Sequence, residues 1–167
     1  VSADLVALSR FPVAVVCAGA KAVLDLPRTM EALETLGVPV LGYGTEQLPG
    51  FYRRDVGLPL DRGFDDLAEL ANTLQLHLQL GSGTGVVVAN PIPAEYEMPE
   101  ELYKRALDRA LWELSESPIR GREVTPFLLA RLRELTSGKS SFSNQALLRS
   151  NVRVAAKLAA QLSQLEP

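Results

Sequence analysis

The chain has 167 residues, 47% of them hydrophobic and 22% charged, and a formal net charge of −3. That balance suits one ordinary globular domain with a substantial core. It offers no basic footprint for nucleic acid, and no apolar run approaches the ~20 residues that cross a membrane as a helix.

The chain opens Val1-Ser2-Ala3-Asp4-Leu5 without a methionine, and helical spacing starts at once. Ser2 reads as an N-cap, Asp4 lies in the first turn, and Leu5, Leu8 and Phe11 share a face. Such an opening reads as an interior point of a longer protein. Residues 13–17 predict a fully buried strand. It holds the single cysteine, Cys17, which has no partner for an internal disulfide. That points to a reducing, cytoplasmic setting and a buried, inert thiol.

Ala18-Gly19-Ala20 then leads to Lys21, an ammonium with apolar neighbours on both sides. Two readings stay open for it. One is a snorkelling surface lysine, stem buried and head in water. The other is an amine made partly neutral by desolvation and so able to attack a carbonyl.

Further on, residues 27–36 predict a helix with Met30, Leu33 and Leu36 on one face and Gly37 as its stop. Residues 38–43 form a second short apolar run, and 48–52 a third. Residues 53–63 read as a loop, or as a short strand with turns. A long amphipathic helix follows over 64–80, with Leu67, Leu70, Leu74 and Leu78 in phase and Asp65 and Asp66 near its start. Residues 81–85 precede another buried strand, 86–89, closed by Asn90-Pro91-Ile92-Pro93. Residues 99–115 predict a charged-faced helix with Glu100 and Lys104 at i,i+4. Thr125-Pro126 reads as a cap and first-turn proline opening a helix over 127–135. A final helix covers 143–165.

Short apolar strands interleaved with long helices argue α/β: a three-layer α/β/α arrangement with a mostly parallel sheet, part of a larger single domain. Ligands in such sheets sit outside the carboxyl ends of the strands, which brings residues 18–21, 42–45 and 89–93 to one mouth.

Several motifs carry less than they suggest. Gly81-Ser82-Gly83-Thr84-Gly85 precedes a strand instead of joining a strand to a helix, so it reads as a helix stop and turn, not a phosphate loop. His77 has no second histidine or cysteine pair, so a zinc site is not expected and a structural or interface role is. Asp65 and Asp66 serve a helix dipole more naturally than a metal. Asn144 and Asn151 are possible polar contacts with little signal of their own.

Five segments in order change the weighting. Ser2-Ala-Asp-Leu5, Val13-Ala-Val-Val-Cys-Ala-Gly-Ala-Lys21, Leu36-Gly-Val-Pro-Val-Leu-Gly-Tyr-Gly-Thr45, Val88-Ala-Asn-Pro-Ile-Pro93 and Val124-Thr-Pro-Phe-Leu-Leu-Ala-Arg131 resemble the pseudouridine-5′-phosphate glycosidase family, also called the indigoidine synthase A-like family. The resemblance runs from residue 1 to about residue 160. It implies a C-glycosidase that reversibly cleaves pseudouridine 5′-phosphate to uracil and ribose 5-phosphate, with Lys21 forming a Schiff base at C1′ of the opened sugar.

The same resemblance matches Ser2, Ala3 and Asp4 to a substrate-contact segment, with Asp4 also placed to hold ribose or relay a proton. Asn144 matches an asparagine near the family's active site, although residues 138–144 depart from the usual run. Ser82 stands where many members carry glycine.

The resemblance covers the C-terminal part of a family chain. Residues 1–167 therefore read as the C-terminal portion of such a domain. The general-acid glutamate, a phosphate-contacting lysine and the Mn²⁺ carboxylate are expected before Val1, the metal-binding aspartate two positions ahead of Ser2. No metal ligand is expected within this chain, and no organic cofactor. The chain by itself is expected to be weakly active or inactive. A homotrimer, with the missing N-terminal half as a further partner, completes the implied picture. Two alternatives remain: another phosphosugar Schiff-base lyase or aldolase, and a non-catalytic phosphosugar-binding fragment.

Overall fold

Runs of β-branched residues build the sheet, and their neighbours decide how deeply each is buried. The structure is a computed structural model, and it describes residues 3–20 and 25–165. Four strands, β1 (Ala14–Cys17), β2 (Val40–Tyr43), β3 (Arg62–Phe64) and β4 (Val86–Ala89), lie in the order β1-β4-β2-β3. All three pairings are parallel. β4 has a neighbour on each side, and all four of its residues are buried. A strand covered on both faces reads as a continuous apolar run, as Val86-Val87-Val88-Ala89 does.

β1 corrects the first strand expectation. It is not fully buried, and Val13 and Val15 are 46% and 39% exposed. Among the described residues it pairs only with β4, so it is an edge, and an apolar run does not distinguish an edge from a centre. The third strand also differs. Residues 48–52 form no regular strand: Pro49 and Gly50 interrupt the run, and Phe51 adopts φ 68°. The strand lies instead at β3, within the stretch read as a loop or short strand.

Among the described residues, six helices surround the sheet: α1 (Ala3–Leu8), α2 (Leu26–Thr35), α3 (Leu67–Gln79), α4 (Glu100–Ser115), α5 (Val124–Leu135) and α6 (Lys139–Leu162). Leu5 and Leu8 of α1 and Leu26 and Leu33 of α2 pack with Val40, Val87 and Ala89 on one face. Leu70, Ala71 and Leu74 of α3 and Leu158 of α6 pack with Leu41, Val86 and Val88 on the other. Alternate residues of each strand thus serve opposite faces, which gives the three layers.

Helix boundaries shift where a cap decides them. α1 stops at Leu8, and Phe11 lies beyond it at 58% exposure, off the expected helical face. Asp25 caps α2 by accepting from the Arg28 amide, and Gly37 ends it with φ +67°. Asp66 caps α3 through the Ala68 amide, so Asp65-Asp66 acts at a helix start, as expected. Phe64 belongs to β3 and not to that helix.

α5 starts at Val124, after a 3-10 turn over Gly121–Glu123, so Thr125 lies inside the first turn and is not the cap. α6 begins at Lys139, earlier than expected, because Gly138 takes the left-handed φ of +82° just before it. Glu100 turns to Arg53, at 3.4 Å, in place of the expected Lys104 pairing.

Leu74 is fully buried between α3 and the sheet. Leu74→Ala is expected to lower unfolding free energy by about 2–5 kcal/mol in chemical denaturation, through lost burial and a cavity.

α4 and α5 are joined by a charge network. Glu113 accepts from Arg131 at 2.5 and 3.0 Å and from Arg109 at 2.8 Å, and Arg131 also pairs with Glu134. The Arg131 hydrogen bond, assisted by Arg109, holds the Glu113 carboxyl below its ordinary 4.5 against some desolvation. A carboxyl lowered by folding stabilises fully above its ordinary pKa and loses that contribution as pH falls through the folded one. Glu113→Gln is expected to flatten the acid limb of a stability-versus-pH curve below about pH 4.5 and to leave its slope near neutrality unchanged.

Candidate functional site at the carboxyl end of the sheet

Parallel register brings three strand ends to one level, with Cys17 and Gly42 both opposite Ala89. Each end then turns in its own way. After β1, Ala18 is buried and its carbonyl accepts from the Phe51 amide at 2.8 Å. Gly19 follows with φ +78°, and a Cβ there would stand 1.7 Å from the Pro49 carbonyl oxygen. Both the backbone conformation and the space therefore demand glycine. Ala20 completes the described part of this turn. Lys21 and Ser2 lie outside the described residues.

After β2, Thr45 folds back over the sheet end. Its carbonyl oxygen would be 2.1 Å from a Cβ at Gly42 and 2.5 Å from one at Gly63. Its hydroxyl donates to the Gln47 carbonyl and accepts from the Gln47 amide. After β4, the Asn90 amide donates to the Cys17 carbonyl at 2.8 Å. The Asn90 side chain crosses to α6: Nδ2 donates to Asn151 Oδ1 at 2.9 Å and to Ser150 Oγ at 3.1 Å.

A third hydrophobic cluster stands over these ends. It joins Ala18, Tyr52 and Ile92 to Tyr103 and Ala106 of α4, Leu132 of α5 and Leu147 of α6. Polar bonds fasten it. Arg54 Nη1 donates to the Ile92 carbonyl at 2.7 Å, and the Arg54 amide donates to Glu97. Arg53 donates to the Met98 carbonyl and pairs with Glu97. Ser143 Oγ donates to the Tyr96 carbonyl at 2.7 Å, in the 3-10 turn Ala94–Tyr96. Tyr52 hydrogen-bonds with Ser140, which lowers its phenol pKa, but burial has the larger effect and raises it. Burial, then the neighbouring Tyr52, also raises Tyr103, so both phenols stay neutral.

The expected site residues fall as follows. Ala3 and Asp4 are exposed in the first turn of α1. Leu8, at the end of that helix, accepts from the Gly85 amide at 2.7 Å, fastening α1 to the amino end of β4. Asn144 is half-buried on α6, beside Ser143 and so next to the segment that follows β4. α1 and the body of α6 lie on opposite faces of the sheet, so Asp4 and Asn144 come from opposite layers.

Burial pushes the Cys17 thiol up, against a smaller effect of its bond with the Gly19 backbone, which leaves little thiolate near neutrality. Among the described residues, no group of three or more His, Cys, Asp or Glu could hold a metal ion. The described residues therefore do not fit a Mn²⁺ site. No described helix is long and apolar enough to cross a membrane. A recess of about 450 Å³ lined by Arg53, Asp55, Glu100 and Lys104, among others, contains none of the expected site residues.

The glycine-rich segment is a stop and turn, with Gly81 and Gly83 at positive φ. His77 is structural: its Nε2 lies 3.1 Å from Thr84 Oγ1, which donates to the Gly37 carbonyl. Sequence reasoning missed the Asn90 bonds to α6 and the Arg54 and Ser143 fastenings. Only the string Asn90-Pro91-Ile92-Pro93 marked that place, and nothing local pointed to partners about 60 residues away.

A parallel sheet with glycine turns, a buried asparagine and a helical wall at its carboxyl end defines an open α/β protein, a class in which ligands generally sit outside the carboxyl ends of the strands. The particular family follows from comparison with known proteins. The chain belongs to the indigoidine synthase A-like family, whose description, "Indigoidine synthase A like protein", matches residues 1–161.

Among its relatives, the pseudouridine-5′-phosphate glycosidase of Caldanaerobacter subterraneus subsp. tengcongensis is 48% identical over 99% of the chain, and that of Clostridium botulinum 49% over 99%. The chain spans about half the length of these relatives, 54% of each. Among solved structures, the prealnumycin C-glycosynthase AlnA in complex with ribulose 5-phosphate is similar at a TM-score of 0.88, with 34% identity over 97% of this chain and 53% of that one. An indigoidine synthase A-like protein of Thermotoga maritima also gives 0.88, with 35% identity over 98% and 54%.

Proposed function

We propose that the chain carries the nucleophile-bearing part of a C-glycosidase that reversibly cleaves pseudouridine 5′-phosphate to uracil and ribose 5-phosphate. The observation that supports this best is the near-half identity, over 99% of the chain, to relatives named for that substrate. The AlnA neighbour, solved with ribulose 5-phosphate, supports a phosphosugar at the same fold.

The chemistry is simplest in the direction of synthesis. The Lys21 amine adds to the C1 aldehyde of open-chain ribose 5-phosphate and loses one water, leaving an iminium. C5 of uracil adds to the iminium carbon and gives up its proton. The sugar O4 then closes on C1, its proton leaves, and the amine is released. The sum is uracil plus ribose 5-phosphate giving pseudouridine 5′-phosphate and water. The reverse path breaks the C–C bond with the iminium as electron sink, where two carboxylates alone would lack an oxygen leaving group to protonate.

Ser2, Ala3 and Asp4 are assigned to substrate contact in this reading. Asp4 holds the ribose or relays a proton, and Asn144 supplies an amide from the opposite layer. Activity of the whole enzyme, its Mn²⁺, its homotrimeric assembly and its cytoplasmic location enter the proposal through the resemblance.

The test is borohydride reduction with ribose 5-phosphate, followed by mass mapping. A stable adduct on Lys21 is expected. No adduct on Lys21 removes the Schiff-base step. A second reading, a Schiff-base lyase with another acceptor, draws on the neighbour named as a C-glycosynthase. Uracil should compete with reductive capture under the first reading and have no effect under the second.

A further inference from the structure

Asn90 is a three-way junction. Its backbone amide holds the end of β1 through the Cys17 carbonyl, and its side-chain amide holds α6 through Asn151 and Ser150. Asn90 and Asn151 are only 6% and 9% exposed, so these bonds form away from competing water. Position 144 precedes 151 by seven residues, two helical turns, and so shares that side of α6. The neighbouring Ser143 is fastened separately to the Tyr96 carbonyl.

Apolar packing alone leaves a helix free to rotate or slide slightly on a sheet. A buried amide pair fixes one rotation and one axial register, because its hydrogen bonds are directional. We infer that the Asn90–Asn151–Ser150 bonds are a positioning device, holding α6, and Asn144 with it, in register with the carboxyl end of β1, where Leu147 shares a cluster with Ala18. The inference rests on the proposed function for the role of Asn144 as a substrate contact. Asn90 and Asn151 touch no reacting atom in it.

A pair of substitutions separates positioning from plain stability. Asn151→Leu alone strands the Asn90 amide in the interior and should destabilise the fold. Asn90→Leu with Asn151→Leu replaces both partners by apolar groups and should recover much of that stability. Capture of ribose 5-phosphate at Lys21 should not recover. The sugar concentration for half-maximal borohydride capture is expected to stay about tenfold above that of the unaltered chain, the scale of one misplaced hydrogen bond. Asn144→Ala should produce a similar shift by itself and add little in the double-leucine background.

If the double-leucine chain recovers both stability and half-saturation, the bonds are structural only and the inference is overturned. It is overturned equally if the Asn144→Ala shift adds in full. Should the double-leucine chain fail to fold, Ser150→Ala, which removes one of the two α6 bonds, must raise half-saturation without lowering maximal capture, or the inference fails. Absence of any adduct in the unaltered chain overturns the proposed function and this inference with it. An adduct that is indifferent to the asparagines overturns the inference alone.

Discussion

Lys21→Ala is expected to abolish reductive capture of ribose 5-phosphate, leaving adduct formation at the background of ordinary surface lysines. A surface amine with a pKa near 10.4 is almost wholly protonated at neutral pH and captures aldehydes slowly. An amine with a lowered pKa, as a Schiff-base nucleophile needs, is less protonated and captures faster, and the proposed function assigns that role to Lys21. Lys21→Arg keeps the positive charge and most of the length but cannot form the imine. Loss of the adduct in both variants, with unfolding midpoints unchanged, separates a nucleophile from a charge that merely binds phosphate. Retention of the adduct in Lys21→Ala, mapped to another lysine, would sink the assignment.

Gly19→Ala should be the most damaging small substitution in the described chain. A Cβ at this position would lie 1.7 Å from the Pro49 carbonyl oxygen, a contact with backbone and not with a yielding side chain. The φ of +78° adds the left-handed penalty of roughly 1 kcal/mol. Relief requires the turn and residues 49–51 to separate, which sacrifices the Phe51-to-Ala18 hydrogen bond. A loss of about 3 kcal/mol or more in chemical denaturation is expected. Because Lys21 follows two residues later, capture should fall along with stability. Gly37→Ala is the control: it also has positive φ, +67°, but no atom lies within 4 Å of its added Cβ. It should cost only the conformational penalty of about 1 kcal/mol and leave capture intact.

Much of the scaffold was legible from local pattern. Val86–Ala89 read as a buried strand because four apolar residues in a row leave no polar face. Asp66 could be placed near a helix start because short acidic side chains accept from first-turn amides. The failures also have local causes. Val13 and Val15 look as apolar as β4, yet they stand on an edge strand. Arg62-Gly63-Phe64 has too little apolar pattern to announce a strand, and it pairs because Gly63 lets the Thr45 carbonyl approach. Of the candidate site, Asn144 and the β1 turn could be singled out in the sequence. The bonds that hold α6 beside them could not.

By itself, the sequence determined the α/β class, the approximate place of most elements and, through its ordered strings, the family. These are properties of short windows, in which periodicity and capping chemistry set which face is apolar and where a helix begins. Tertiary structure decided the strand order, the edge position of β1 and the separation of Asp4 and Asn144 into opposite layers. It also decided that Asn90 meets an asparagine 61 residues away. Those outcomes depend on pairings between distant segments, where a buried amide must find its particular partner and no local pattern records which one it will be.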